Sequence, residues 1–260
     1  MPEKLRAVAT TTRLSALVRE RVRFWLRVAT RRHGVARYHL RGSGVVVHLR
    51  HGTVDVMTLE QIAAAGHYEP PPNVAAILDA AGPELRVVDL GANIGMFGAY
   101  IRGCYPQAAI VAFEPHPANV EVLKRTAAAN DGDWRVMAAC ADVGEGTVPF
   151  WIGGEFTTSR VEAGSSDTID VPAVDVFPYL AQGDLLKIDI EGAEWKILDD
   201  PRFASLDAPV VALEYHAYAC PGPDPRAYAR NRLEEVGYAV ADAELAAEPG
   251  HGMLWAWRSS

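Results

Sequence analysis

Acidic side chains and one histidine follow two apolar runs in the second half of this sequence. Asp189 and Glu191 come directly after the run LLKI, and Glu214 and His216 come directly after the run VVAL. Carboxylates and imidazole can take a proton from a reacting hydroxyl, and histidine ionises near neutral pH. These four residues are therefore candidates for catalysis. His216 is suited to removing a proton near neutral pH, and Glu214 or Asp189 could orient it or act in its place. Asp189, Glu191 and His216 are all candidates for the base.

The elements that must position these groups are predicted strands and helices that alternate along the chain. Such alternation is typical of a doubly wound α/β fold, in which ligands bind outside the carboxyl ends of the strands. The predicted strands are residues 86–90, 109–113, 134–140, 185–190, 210–214, 238–241 and 253–258. The helices that accompany them are predicted over residues 73–81, 118–130, 175–180, 195–198 and 226–236, with Asn73 as the cap of the first. A further helix follows the first strand and ends at about residue 104. The sequence thus predicts a parallel sheet of seven strands, with hairpins and loops over residues 143–172.

A glycine loop follows the first of these strands. Asp89 ends the strand, and Gly91, Asn93 and Gly95 lead into a helical pattern. Glycines let the backbone approach a ligand closely, and the start of a helix offers unpaired N–H groups. A dinucleotide fingerprint would require glycine at the third and sixth positions of the loop, where this chain has Asn93 and Met96. The spacing therefore favours a polar ligand without a pyrophosphate.

An acid also closes the second strand. Glu114 lies 23 residues after Gly91, where a carboxylate accepts hydrogen bonds from ribose hydroxyls in sheets of this kind. A nucleoside without a pyrophosphate agrees with both observations. A nucleotide-dependent oxidoreductase is the less favoured alternative.

Four segments of the chain resemble the successive motifs of FkbM-type S-adenosylmethionine-dependent methyltransferases. They are DLGANIG, AFEPHPANVEVLK, LLKIDIEGAEWKIL and LEYH, in the same order, and the resemblance runs from residue 47 to the carboxyl terminus. It implies a seven-stranded Rossmann-like methyltransferase sheet that binds S-adenosyl-L-methionine. It also implies methylation of a hydroxyl on a sugar or specialised metabolite, as in natural-product or glycan biosynthesis. An N-methyltransferase and a non-catalytic binding scaffold of the same fold are the alternatives.

The same resemblance implies roles for individual residues around the cofactor. Asp89, Gly91, Asn93 and Gly95 would hold its methionine end, and Glu114 its ribose. Asp142 would contact the adenine edge, although an aspartate before Val143-Gly144 can equally serve as a turn or cap residue. Asp189 and Glu191 would lie beside the methyl group, which makes Asp189 a cofactor contact as well as a catalytic candidate.

Three further residues are candidates for contact with the acceptor. His67 and Tyr68 precede the first core strand, where segments often line the acceptor pocket in folds of this type, although a packing tyrosine and a surface histidine are the simpler interpretation. Lys187 shares a strand face with Asp189 and Glu191, since residues two apart point the same way. Three charges on one face of a buried strand must pair with one another or line a polar site.

The first 72 residues form an amino-terminal extension in this interpretation, and residues 73–260 form the methyltransferase domain. Residues 11–32 combine an apolar stripe with interspersed arginines, which predicts one amphipathic helix that ends near Gly34. We expect this helix to dock on the core or on a second subunit of a homodimer, although peripheral membrane contact has the same signature. Residues 36–56 predict a small antiparallel hairpin or meander, including a strand over TVDVM, and residues 59–65 predict a short helix.

Composition limits the remaining classes of function. The chain has 260 residues, 49% of them hydrophobic, and a formal net charge of −8, yet residues 1–50 hold 12 of the 25 Lys and Arg residues. A nucleic-acid partner is not expected, because these arginines alternate with apolar residues that need burial. Three widely spaced cysteines indicate neither a disulfide framework nor a metal site, so we expect a cytoplasmic, metal-independent protein. No apolar run approaches the ~20 residues of a membrane span.

Overall fold

A seven-stranded sheet forms the centre of the protein. The computed structural model describes residues 3–152, 160–161, 167–243 and 250–258. The strands are β1 (Gly34–His39), β2 (Val46–His51), β3 (Arg86–Leu90), β4 (Ala109–Phe113), β5 (Trp134–Met137), β6 (Cys140–Asp142), β7 (Gly146–Trp151), β8 (Arg160–Val161), β9 (Thr168–Asp175), β10 (Leu185–Ile188), β11 (Val210–His216), β12 (Ala239–Asp242) and β13 (His251–Trp257). The helices are α1 (Glu3–Ser15), α2 (Arg21–Ala29), α3 (Asp55–Ala63), α4 (Pro72–Ala81), α5 (Met96–Cys104), α6 (Pro117–Ala128), α7 (Phe177–Leu180), α8 (Glu194–Asp199) and α9 (Pro225–Glu235), with a 3-10 helix at Pro201–Ser205.

The order of strands in the large sheet is β12-β13-β11-β10-β3-β4-β5. Strands β3, β4, β5, β10 and β11 pair in parallel, whereas β13 runs antiparallel to both β11 and β12. The predicted doubly wound α/β fold and its seven strands are confirmed. The parallel pairing that the alternation of strands and helices predicts does not extend to β13.

Side chains alternate between the two faces of this sheet and build two hydrophobic cores. Val87, Leu185 and Val210 face the core that also holds Leu14, Val18 and Phe24 of the amino-terminal segment. Val88, Leu186 and Val211 face a second core, which α7, α8 and α9 cover. The amino-terminal extension therefore shares one continuous core with a face of the main sheet.

The predicted amino-terminal helix is divided into α1 and α2. The helix is interrupted between them, where Val18 forms an antiparallel bridge with Leu40 and the Glu20 carboxylate accepts a hydrogen bond from the His39 N–H at 3.0 Å. Leu14, Val18 and Phe24 pack in the core, whereas Val22 is 73% exposed. Tertiary pairing thus overrides the helical periodicity, and only part of the apolar stripe is buried.

Other boundaries also differ from the sequence prediction. Strand β10 ends at Ile188, so Asp189 and Glu191 lie beyond the strand and do not share a strand face with Lys187. Residues 53–57 form a turn and the first residues of α3 instead of a strand, because the Asp55 carboxylate accepts from the Arg50 backbone N–H and guanidinium. The cap of α4 is Pro71, with Pro72 at its first position and Asn73 exposed within the first turn. Residues 134–140 are split into β5 and β6, and β6 belongs to a separate four-stranded sheet of order β6-β9-β7-β8. Residues 153–159 and 162–166 of the predicted hairpin region lie outside the described part of the chain.

Among the described residues, none of the helices combines the length and the apolar character that crossing a bilayer requires.

Asn130 links the amino-terminal hairpin to the carboxyl end of α6, and its removal should loosen that link. Its side chain accepts from the Val46 N–H at 2.8 Å and donates to the Val46 carbonyl oxygen at 2.8 Å. We expect Asn130→Ala to lower the free energy of unfolding by about 1–2 kcal/mol, the net value of two such bonds. Chemical denaturation of this variant beside Asp131→Ala, which changes an exposed neighbour, would measure the effect. Equal stability of the two variants would show that these bonds do not hold the hairpin.

Candidate active site

A cavity of about 520 Å³ lies at the carboxyl ends of β3, β4, β10 and β11. This volume is within the range of small-molecule sites. The wall includes Gly91, Glu114 and Asp189, which follow β3, β4 and β10, and Glu214 near the end of β11. The fold therefore places its polar strand ends around one chamber, as the sequence predicts.

The glycine loop between β3 and α5 lies in close contact with the residue after β10. Gly91 has a φ of 79°, and a Cβ atom there would lie 1.7 Å from the Asp189 carbonyl oxygen. The Gly91 and Ala92 N–H groups both donate to the Phe113 carbonyl oxygen, at 3.0 and 2.9 Å. Only glycine permits this approach, so residue 91 joins the loop after β3 to the loop after β10.

Glu114 and Asn93 form a polar corner of the cavity. The Glu114 carboxylate accepts from the backbone N–H groups of Asn93 and His116, each at 2.8 Å, and from Asn119 Nδ2 at 3.3 Å. Burial raises the pKa of Glu114 to about 7 against the effect of these bonds. The Asn93 Oδ1 atom is buried and has no hydrogen-bond partner among the described residues. Together these atoms present acceptors to a ligand that carries hydroxyl or ammonium donors.

Three of the predicted cofactor contacts do not line this cavity in the described structure: Asp89, Gly95 and Asp142. Asp89 is fully buried, and its Oδ1 lies 3.3 Å from Lys187 Nζ. Gly95 caps α5 with a φ of 87°. Asp142 Oδ1 accepts from the Val143 N–H at 2.7 Å, which is the turn interaction that the sequence left open. Cys140 and Ala141 line the wall at this point instead.

Lys187 is surrounded by partners within the protein. Its Nζ atom donates to the Gly91 carbonyl oxygen at 2.6 Å and lies 3.2 Å from Asp189 Oδ2, in addition to its contact with Asp89. Of the two possibilities that the sequence left open for these charges, pairing with one another or lining a polar site, Lys187 shows the first through its contacts with Asp189 and Asp89. Because these contacts use its donors, Lys187 holds the loops after β3 and β10 together, and direct contact with an acceptor stays a prediction.

Asp189, Glu191 and His216 form a cluster at the cavity wall. His216 Nε2 lies 3.6 Å from Glu191 Oε2 and 3.9 Å from Asp189 Oδ1. Burial raises the pKa of Glu191 to about 7, and the positive charge of His216 opposes that rise. Burial acts to lower the pKa of His216, but a hydrogen bond to Glu194 and the charges of Asp189, Glu194 and Glu191 raise it to about 9.

These pKa values bear on the assignment of the base, which the sequence leaves open among Asp189, Glu191 and His216. A histidine whose pKa is about 9 carries its proton at neutral pH, so His216 is the weaker candidate for accepting one. Glu191 is the better candidate, because a general base works best when its pKa is near the working pH.

Glu214 has other partners than the sequence predicts. Its Oε2 accepts from the Tyr68 hydroxyl at 3.2 Å and lies 3.1 Å from His67 Nε2, and its Oε1 contacts His251 Nε2. Burial acts to raise the pKa of Glu214, but the hydrogen bonds from His251 and His67 lower it. Glu214 therefore does not orient His216. The Glu194 carboxylate does so, accepting from His216 Nδ1 at 3.1 Å.

Several residues of the site escaped the sequence analysis. Glu194 lies within the IEGAE segment, but its contact with His216 depends on how α8 packs on β11. His251 comes from the antiparallel strand β13, and its ring stacks on His216 with centroids 5.0 Å apart. One wall of the cavity comes from α3 and the residue before it: Val54, Met57, Thr58, Gln61 and Ile62. Because a strand was predicted over residues 53–57, the sequence did not assign these side chains to the site.

The distances between these clustered side chains also resemble those between the ligands of a metal ion. The donor atoms of Asp189, Glu191 and His216 lie within 4.8 Å of one another, as do those of Glu214, His216 and His251. Each imidazole in these groups already contacts a carboxylate, His216 with Glu194 and His251 with Glu214.

A seven-stranded sheet with an antiparallel strand β13, and a cavity at its carboxyl edge, define a Rossmann-like methyltransferase fold. The family model described as "Methyltransferase FkbM domain" matches residues 89–240, more than half of the chain. The chain therefore belongs to the FkbM methyltransferase family, and the resemblance inferred from four motifs is confirmed. Its cofactor is S-adenosylmethionine, which this family uses.

Two curated relatives are fungal proteins. The chain is 30% identical over 186 residues to Methyltransferase 1 of Beauveria bassiana (strain ARSEF 2860), covering 60% of this chain and 72% of that protein. It is 32% identical over 151 residues to Methyltransferase sdnD of Sordaria araneosa, covering 43% of this chain and 58% of that protein.

Among solved structures, similar chains include magnesium protoporphyrin IX methyltransferase (ChlM) from Synechocystis PCC 6803 with bound SAM. That pair has 19% identity, a TM-score of 0.44 and coverage of 77% of this chain and 83% of the other. A second is M. jannaschii TYW2 in complex with AdoMet, with 14% identity, a TM-score of 0.45 and coverage of 88% of each chain.

Proposed function

We propose that this methyltransferase acts on a hydroxyl group of a sugar or specialised metabolite, either free or within a glycan, and needs no metal ion. The observation that carries the proposal is the carboxylate of Glu191 at the cavity wall, with a pKa of about 7. A hydroxyl must lose its proton as it attacks, whereas a neutral amine can attack with its lone pair. A buried base therefore favours an oxygen acceptor over a nitrogen acceptor.

The corner formed by Glu114 and Asn93 fits the cofactor. The Glu114 carboxylate can accept from the ribose hydroxyls, and the unpartnered Asn93 Oδ1 can accept from the ammonium of the methionine end. When bound, S-adenosylmethionine supplies an electrophilic methyl group on a sulfonium. Asp89 and Gly95 would support this corner from behind, through Lys187 and the start of α5.

Glu191 and His216 have different roles in the proton transfer under this proposal. As the acceptor oxygen bonded to the methyl carbon, the bond from that carbon to sulfur would break with its electron pair left on sulfur, and the hydroxyl proton would pass to the Glu191 carboxylate. The protonated His216 beside it, 3.6 Å away, keeps that carboxylate ionised until then. Asp189, held by Lys187, adds a second negative charge that favours the cationic form of His216.

Helix α3 and the His67-Tyr68 pair would contact the acceptor. Thr58 and Gln61 offer a hydroxyl and an amide to the cavity, groups that suit the hydroxyls of a sugar. Tyr68 is 4% exposed and donates to Glu214, so its part is to shape the wall.

Calorimetry and product analysis test this proposal together. We expect saturable binding of S-adenosylmethionine and none of NAD, because the loop lacks two of the three dinucleotide glycines. With a panel of sugars, phenols and matched amines, methyl groups should appear on oxygen, and treatment with EDTA should leave the rate unchanged. Methylation of amines alone, or a rate that requires added Mg²⁺, would contradict it.

A further inference from the structure

The buried carboxylate of Glu194 joins the two loops that carry the proton-transfer groups. Glu194 is fully buried on α8. Its Oε1 accepts from the His216 backbone N–H at 2.9 Å and from His216 Nδ1 at 3.1 Å, while its Oε2 accepts from the Gly192 N–H at 2.7 Å. One side chain thus fixes the end of β11 and the turn after β10.

That turn depends on such a fixed partner. Glu191 has a φ of 53°, a conformation that non-glycine residues rarely adopt, and Gly192 follows with a φ of 101°. A Cβ atom at position 192 would lie 2.8 Å from the Tyr218 carbonyl oxygen. The Glu191 side chain points at His216 only while this backbone is held, and Glu194 supplies the hydrogen bond that holds it.

We propose that Glu194 is a positioning residue. Its carboxylate aligns Glu191 with His216 and keeps the two side chains as an ion pair. This inference rests on the proposed function for its consequence in catalysis, but its effect on His216 is independent of it. With its Nδ1–H donated to Glu194, the His216 ring must turn Nε2 towards Glu191 and Asp189.

A buried carboxylate at this position has an electrostatic consequence. The charged groups near His216 are Glu194 on α8, Asp189 and Glu191 after β10, Glu214 on β11, and His251 on β13. Of these acids, only Glu194 makes a direct hydrogen bond to the imidazole, which favours the imidazolium. Without its charge, burial and the neighbouring His251 should favour neutral His216, and Glu191 would lose the cation that keeps it ionised.

The Glu194→Gln variant tests the inference with and without turnover. Titration of the His216 imidazole by NMR should show its pKa falling from about 9 towards the ordinary value of about 6.5. We expect kcat to fall by roughly 10²-fold, as when a reacting group is misplaced, and the alkaline limb of the kcat profile to move to lower pH. The affinity for S-adenosylmethionine should not change, because Glu194 is not among the described residues that line the cavity.

Control variants separate this role from a purely structural one. Glu235→Gln removes an exposed carboxylate on α9 and should leave the His216 titration and kcat as they are. Glu194→Asp keeps the charge but is one methylene shorter, so it should retain most of the raised His216 pKa while lowering kcat. It also serves as the test if the glutamine variant does not fold, as judged by circular dichroism.

The outcomes decide between the inference and the proposed function. An unchanged His216 pKa in Glu194→Gln would overturn the inference whatever the enzyme methylates. A lowered His216 pKa with unchanged kcat would overturn the positioning role in the reaction. A lowered His216 pKa in a protein that methylates only amines would support the effect of Glu194 on His216 and refute the proposed function alone.

Discussion

Replacing Glu191 with glutamine is expected to lower kcat by about 10²–10⁴-fold, the usual contribution of a positioned general base. Glutamine has nearly the same size and can still contact His216, but it cannot accept the proton of an acceptor hydroxyl. Binding of S-adenosylmethionine should change far less than kcat, because the loss is confined to the step in which the proton moves. Steady-state kinetics with calorimetric measurement of cofactor affinity would separate the two.

The pH profile of the native enzyme gives this prediction a second readout. Glu191 must be ionised to accept a proton, so kcat should rise as pH increases through about 7. His216 must keep its proton to hold Glu191 ionised, so kcat should fall again above about 9. The Glu191→Gln variant should lose the acid limb. If it keeps the native kcat and the limb at about 7, Glu191 is not the base, and Asp189 becomes the candidate to be tested by Asp189→Asn.

Replacing Glu114 with alanine is expected to weaken binding of S-adenosylmethionine by about 1–3 kcal/mol, roughly 5- to 150-fold in Kd, the cost of losing a carboxylate that accepts hydrogen bonds from a ligand. The effect should depend on pH. Because burial raises the pKa of Glu114 to about 7, the native affinity should fall as pH decreases through that value and the carboxylate becomes a neutral acid. The alanine variant should lose this dependence.

A matched control is needed, because Glu114 also accepts the Asn93 N–H and so shapes the glycine loop. Glu121→Ala removes an exposed carboxylate from the adjacent helix α6 and should leave Kd unchanged. Thermal denaturation without cofactor would show how much of the Glu114→Ala effect is loss of local structure. A native Kd in a folded Glu114→Ala variant would exclude this residue from cofactor binding.

Most of the sheet, and the polar corner formed by Glu114 and Asn93, could be predicted from local sequence patterns. Strand β3, its glycine loop and Glu114 were predictable because each depends on a run of neighbouring residues: an apolar strand, a turn that needs positive φ, and an acid at a strand end. The same reasoning placed Asp189, Glu214 and His216 at one edge of the sheet. It did not predict which of these side chains contact one another.

The features that escaped prediction depend on contacts distant in sequence. The amino-terminal helix is interrupted because Val18 pairs with Leu40, a bridge that no periodicity reveals. The pKa of His216 follows from a carboxylate 22 residues away in the chain, on a helix packed against its strand. The start of α3 depends on the buried pair of Arg50 and Asp55, whereas its sequence, TVDVM, has the alternation of a strand.

The position of helix α3 also bears on how this protein can diversify. Its residues form one wall of the cavity, yet they lie before residue 89, where the match to the family begins. Substitutions at exposed Met57, or at Thr58 and Gln61, would reshape that wall without altering the glycine loop, Glu114 or the Glu191–His216 pair. If the proposed function holds, changes in α3 would alter which acceptor fits the cavity, while the residues proposed for methyl transfer would stay the same.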